Sequence, residues 1–200
     1  MKRNTAMLAK DFQSSFLSVE KDSEIIIRKL FIESKPYSEI LKKLLVINTK
    51  DCLDVKDSEV YAEILNKTSL KTLQEKGYIR FAPKLALPEH EEVKSYILIS
   101  FDDFIPNSTN PQFRDCTVIF DVLCHTDYWN LGNFRQRPIQ IVGYIDGILN
   151  NTKLSGIGTF NFMGCTEYVL NENFSGYSLA YRAVHGSDDK IPGHQEDDQG

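Results

Sequence analysis

Four carboxylates in this 200-residue chain, Asp102, Asp103, Asp121 and Glu167, are of a type and placement that could carry catalytic chemistry. They fall in segments with strand-like alternation, and acidic groups on adjacent strands can hold Mg²⁺ for phosphodiester cleavage. No lysine follows them at a spacing suited to that reaction, so surface or capping roles are the simpler expectation. His125 stands two residues before Asp127, a pairing that could do acid–base work. No nucleophile accompanies it, because G-x-S-x-G and H-E-x-x-H are both absent. A histidine at a strand end is the plainer reading. The cysteines Cys52, Cys116, Cys124 and Cys165 form no CxxC pair and no zinc spacing. They are expected to be reduced and mostly packed. Cys116 and Cys124 share a strand face, but are too far apart along it for a disulfide. The sequence therefore predicts no catalytic residue, no cofactor and no metal.

Composition narrows the remaining classes. The hydrophobic fraction of 42% is that of a globular chain with a sizeable core. No apolar run approaches the roughly 20 residues that span a bilayer, so no membrane partner is expected. The opening MKRNTAMLAKDF is basic, with no apolar signal core behind it. A cytoplasmic site of synthesis is expected. A net charge of −5 without a Lys/Arg block argues against sequence-specific nucleic-acid binding.

The stretch 116–149 organises the rest. Val118, Phe120, Val122 and Cys124 alternate with Ile119, Asp121, Leu123 and His125, which predicts a half-buried strand over 116–125. Pro138 suits a first helical turn. Ile141, Tyr144, Ile145, Ile148 and Leu149 recur at three- and four-residue steps, predicting a helix over 138–150. Gly143 and Gly147 lie on one face of it. Either they let another backbone approach, or a well-packed helix tolerates them.

Ahead of this unit, residues 1–21 read as a flexible arm or a short helix through Leu8, Phe12 and Phe16. Ser23 is a candidate N-cap for a helix over 24–33. Pro36 restarts the chain before Ile40, Leu41, Leu44, Leu45 and Ile47. Asp57 can cap a helix over 58–65, and Ser69 another that ends near Gly77. The whole of 22–94 thus reads as a helical region and linker, with Pro83 and Pro88 in the linker 78–94. Strands are predicted over 95–101, 158–170 and 177–185, with Gly164 marking either a bulge or a close contact. On simple alternation, Phe160, Phe162, Thr166, Tyr168 and Leu170 share a face. Residues 186–200 are acidic and apolar-poor, as disordered tails are.

Two loops remain as candidate contact surfaces. The connection Asp102–Asp115 carries the turn residues Pro106, Asn107, Asn110 and Pro111. It is either a functional loop or a plain surface one. The aromatic loop Tyr128–Arg137 holds Tyr128, Trp129, Phe134, Arg135 and Arg137, residue types that dominate protein interfaces. Alternatively, Trp129 and Phe134 fold back and seal the core. Arg135 and Arg137 precede a helix, at its positive dipole end, which is unfavourable unless carboxylates pair with them, either in the same chain or on a neighbouring subunit.

The segments YILISFDDF, CTVIFDVLCH, RPIQIVGYIDGILNN, GIGTFNFMGCTEYVL and YSLAYRAVHG, read in that order over 95–185, resemble the tail terminator or tail completion (tail-to-head joining) proteins of long-tailed bacteriophages. The resemblance implies an α+β core, a four-stranded antiparallel sheet with a helix packed across one face, preceded here by a helical N-terminal region. It also implies a virion structural protein that forms a ring, typically of six copies. Such a ring caps the tail tube and meets the head connector or a neck protein. Another neck, connector or baseplate role is the nearest alternative. A metal-dependent nuclease or a cellular adaptor domain are the alternatives from other classes.

Overall fold

The computed structural model describes residue 16 and residues 19–53, 59–82, 93–109 and 113–185. The N-terminal arm, the Asp57 cap, most of the linker with Pro83 and Pro88, Asn110 and the acidic tail lie outside the described residues.

The first helix, α1 (Val19–Arg28), runs on through a wider π-helical turn over Lys29–Glu33. Ile26, Ile27, Leu30 and Phe31 form its buried face. Ser23 is not its cap. The helix starts earlier, and the Ser23 hydroxyl donates 2.8 Å to the carbonyl of Val19, one turn back. Helix α2 (Tyr37–Val46) buries Leu41, Leu44 and Leu45, the expected three- and four-residue spacing. Two short helices follow, α3 (Glu59–Lys67) and α4 (Leu70–Glu75). Ser69 caps α4 by accepting from the Thr72 amide at 3.1 Å, and Gly77 closes it with φ of +73°, the left-handed geometry that favours glycine.

The strands are β1 (Ile79–Arg80), β2 (Ser95–Pro106), β3 (Arg114–His125), β6 (Asn161–Val169) and β7 (Phe174–His185), in the order β1-β2-β3-β7-β6. Helix α5 (Arg137–Leu149) connects β3 to a small separate ribbon of β4 (Lys153–Leu154) and β5 (Gly158–Thr159). The sheet is therefore five-stranded and mixed, where four antiparallel strands are expected from the sequence. The extra strand is β1, parallel to β2 through Ile79↔Ile97 and Arg80↔Leu98. Two residues are too few to show a period, so nothing local distinguishes that strand from linker.

The expected long loop between β2 and β3 is also shorter than its sequence implies. Asp103, at φ of +53°, marks an irregularity between Asp102 and Ile105, beyond which pairing resumes at Ile105↔Asp115 and Pro106↔Arg114. In β6 the bulge expected at Gly164 is present, between Phe162 and Gly164. Its consequence overturns the simple alternation. One extra residue flips everything beyond it, so Phe162 shares its side with Cys165, Glu167 and Val169 rather than with Thr166 and Tyr168.

One face of the sheet carries the main core. Ile97 and Ile99 of β2, Val118, Phe120 and Val122 of β3 and Leu179 and Tyr181 of β7 are buried there with residues of α1, α2 and α5. Helix α5 lies against β3 and β7 with α2 beside it, and Tyr37 and Tyr144 meet between the two helices at 6.1 Å. A smaller apolar cluster, Tyr96, Leu98, Leu123 and Phe174 with Tyr168 and Leu170 against it, occupies one end of the opposite face. Gly176 lies in the β3–β7 ladder, where a Cβ would stand 1.8 Å from the Val122 carbonyl oxygen, so only glycine fits.

Candidate interface surfaces

The acidic residues do not converge. Asp121 and Glu167 project from opposite sides of the sheet, because Glu167 pairs with Tyr177 and hence aligns with Val122, the neighbour of Asp121. Asp121 is held near Ser178, and burial pushes its carboxyl above the usual carboxylate range against the opposing effect of that hydroxyl. Asp102 turns to its own loop and accepts 2.8 Å from the Asp103 amide. Among the described residues no group of three or more His, Cys, Asp or Glu could hold a metal ion. His125 caps the 3-10 turn Thr126–Tyr128 by accepting 3.2 Å from the Asp127 amide, and its ring packs edge-on against Phe174 at 5.0 Å.

One constellation with the composition of a catalytic triad was not legible in the sequence. Buried His185, the last residue of β7, pairs through Nδ1 with buried Asp22 of α1, and Cys116 lies beside them on β3. The thiol is the wrong species for a nucleophile. Burial and then the Asp22 charge push its pKa up to about 12, where an activated cysteine is pulled down. The His185–Asp22 pair instead fastens the first helix to the last strand.

The aromatic loop contains both kinds of residue that the sequence left open. Trp129 is partly buried against the main core, so it seals the core edge. Phe134 does the reverse: its ring is fully exposed. Residues 132–135 form a tight turn, closed by Leu131 N–H to Arg135 O at 2.8 Å and by the Asn130↔Gln136 bridge. Asn133 and Phe134 stand at φ of +58° and +59°. Two successive positive φ values define the turn type that selects Asn-Gly. Asn133 suits the first position, but phenylalanine at the second strains the backbone by about 1–2 kcal/mol. Arg135 lies next to this tip and is half-buried.

Arg137 corrects the expectation most sharply. It is buried, with no exposed surface, and so is not a contact residue. Its guanidinium donates to the carbonyls of Leu44 at 2.6 Å, Ile47 at 3.0 Å, Thr49 at 2.6 Å and Tyr128 at 3.0 Å. Its amide donates to Trp129 O at 2.7 Å. Leu44 and Ile47 end helix α2, so the cation meets the negative end of that dipole. The misplaced charge at the start of α5 is a well-placed charge at the end of α2. Arg137 thereby clamps the aromatic loop to the helical layer, and Gly132 N–H to Lys50 O at 2.8 Å adds a second tie. Tyr128, Trp129 and Arg137 are scaffold, and Phe134 is what they present.

At the other end of β3, Asn107 ties the β2–β3 hairpin together. Its amide nitrogen donates to Asp115 at 2.7 Å, its side-chain oxygen accepts from Thr109 N at 3.0 Å, and its main-chain N–H reaches Phe113 O. Asn107 and Arg182 together hold the Asp115 carboxyl below its ordinary range. The two candidate loops thus lie at opposite ends of one 12-residue strand, about 36 Å apart along it.

The sheet margins supply a surface that the sequence reading missed. One margin is blunted by two-residue β1. The other is β6, nine residues long, with Phe162, Met163 and Val169 exposed and Glu167 its only charge. Long apolar edges are normally guarded by charge or proline. Exposed Cys165 lies on this strand, whereas Cys52, Cys116 and Cys124 are buried, and none of the four forms a disulfide.

The sequence profile of a family described as YomW matches residues 38–183, from α2 through β7. One solved structure that the chain matches is a chain of the "Virion of native gene transfer agent (GTA) particle", 12% identical, covering 62% of this chain and 90% of that one with a TM-score of 0.34. At that level the likeness bears on neither fold nor function. No curated protein sequence matches the chain.

Proposed function

The chain belongs to the YomW family, and we propose that it is a virion structural protein of a long-tailed phage, assembled on itself as a ring at the neck. In this reading it has no turnover and no cofactor. Six copies cap the tail tube, with the tube protein on one side and a head connector or neck protein on the other. It is made in the host cytoplasm and ends in the virion. The observation that carries the reading is Phe134. A large apolar ring is held fully in solvent on a strained, doubly tied turn, an arrangement that costs the free subunit stability and gains it nothing. Such a cost is offset when the ring enters a partner's pocket. A ring of more than two copies needs two unlike surfaces on each subunit. The Phe134 tip is on the loop between β3 and α5 and the apolar margin is strand β6, so the two are different surfaces.

The test is Phe134→Gly, studied by circular dichroism and by size-exclusion chromatography with light scattering. Glycine relieves the positive φ, so the monomer should gain about 1 kcal/mol. Loss of the ring should weaken self-association or docking at least tenfold. Wild-type protein that stays a monomer, alone and with tube protein, would remove the ring. A variant that assembles as well as wild type would remove Phe134 from the interface.

A further inference from the structure

We infer that the receptor for the Phe134 ring is a groove on helix α5 of a second copy of this chain. The inference rests on the self-assembly proposed above and names the surface that completes it. The groove lies between α5 and the start of α2, encloses about 330 Å³ and is lined by Tyr37, Ile139, Gln140, Gly143, Tyr144 and Gly147. The two glycines stand four residues apart on the exposed side of α5. A Cβ at either position would meet nothing within 4 Å. Each glycine costs the helix stability relative to alanine, and no packing contact among the described residues needs it small.

Three observations select the occupant. The first is size. A cavity of about 150 Å³ holds benzene, so this groove takes one phenyl ring with space for the atoms beside it. The second is chemistry. No lining residue is charged, and Tyr37, Ile139 and Tyr144 supply aromatic and aliphatic walls. A charged occupant would lose its water there without a partner, so an apolar one fits. Among the described residues Phe134 is the only large hydrophobic side chain left fully exposed. The ties through Leu131 and Arg137 fix its turn in that position, so the groove that takes the ring belongs to another copy. The third is continuity. An aromatic side chain buries about 150–250 Å², against about 800 Å² per partner in a stable interface. Phe134 is thus an anchor, and surface adjoining the groove must supply the rest. Exposed Tyr37 and Ile139 form the rim. Beside Gly147, Asp146 accepts 2.9 Å from the Tyr181 hydroxyl, and the Tyr181 ring packs against Phe162 of β6 at 5.8 Å. Helix α5 therefore adjoins the apolar β6 margin, and groove and margin make one receptor surface, unlike the projecting tip that it receives.

The experiment uses two variants of the full-length chain. Phe134→Gly lacks the ring that docks. Gly143→Leu with Gly147→Leu fills the groove and, with open space at both positions, should melt no lower than wild type by circular dichroism. Each variant alone should self-associate at least tenfold more weakly than wild type by light scattering. Mixed, they should form a 1:1 dimer and nothing larger, because one intact tip meets one intact groove. Ile139→Glu, which brings a charge to the rim and leaves the glycines in place, should also weaken association. A filled-groove variant that assembles like wild type while Phe134→Gly does not would overturn the groove as receptor and leave the ring standing. A mixture without the 1:1 dimer would do the same. Wild type that stays a monomer would overturn both. A 1:1 dimer in the mixture, with wild type growing into open filaments, would keep the groove and remove the ring.

Discussion

Arg137→Met keeps the length and apolar stem of the side chain and removes its charge and all its donors. Four carbonyls lose a partner, and the bonds to Leu44 O and Ile47 O are fully buried. An acceptor left buried and unpaired costs about 1–3 kcal/mol, so those two alone account for about 2–6. The lost cation at the end of α2 adds up to about 1 kcal/mol. Contributions that share one side chain are not additive, and about 3–5 kcal/mol is the expected total. A domain of this size is stable by about 5–15 kcal/mol, so the variant should fold only marginally. Arg137→Lys keeps the charge but loses the planar fork, and should fall about midway. Urea unfolding followed by circular dichroism at pH 7 measures both. The order wild type, Lys, Met is required. A Met variant within about 1 kcal/mol of wild type would show that water satisfies the carbonyls and that Arg137 is no clamp.

Trp129→Ala should cost about 2–4 kcal/mol, because the indole seals the core, whereas Phe134→Ala should leave unfolding of the monomer unchanged, and a thermal melt of each separates them. Gly176→Ala should lower Tm by about 5–10 °C, since its methyl must displace the β3 backbone, while Gly143→Ala, with nothing within 4 Å, should raise stability by up to about 1 kcal/mol. Asp121→Asn should stabilise the protein at pH 7. Its carboxyl is raised on folding, so the native state binds the proton more tightly and the ionised form is unfavourable above that raised value. The gain should shrink as pH falls through the carboxylate range, and a variant equal to wild type at every pH would refute the assignment. Met163→Lys with Val169→Lys on β6 should leave the fold intact and abolish self-association seen by light scattering.

The central strand, the helix after it and the two last strands were legible in the sequence because their signal is local. Alternation in Val118–Cys124 and the spacing of Ile141, Ile145 and Leu149 each report a buried face within one element. The caps at Ser69 and Gly77 were legible for the same reason. The bulge at Gly164 was visible as a glycine, but its inversion of the side-chain faces needed the β7 register. Only the tertiary structure decided what depends on contacts distant in sequence. Arg137 reaches carbonyls 88 to 93 residues away, and those acceptors, being main chain, leave no residue-type signature. The His185–Asp22 pair spans 163 residues. Strand β1 exists because β2 offers it a ladder. The candidate site divided along the same line: residue types marked the aromatic loop as one unit, but burial, which no local pattern encodes in a loop, separated Phe134 from the Trp129 and Arg137 that hold it out.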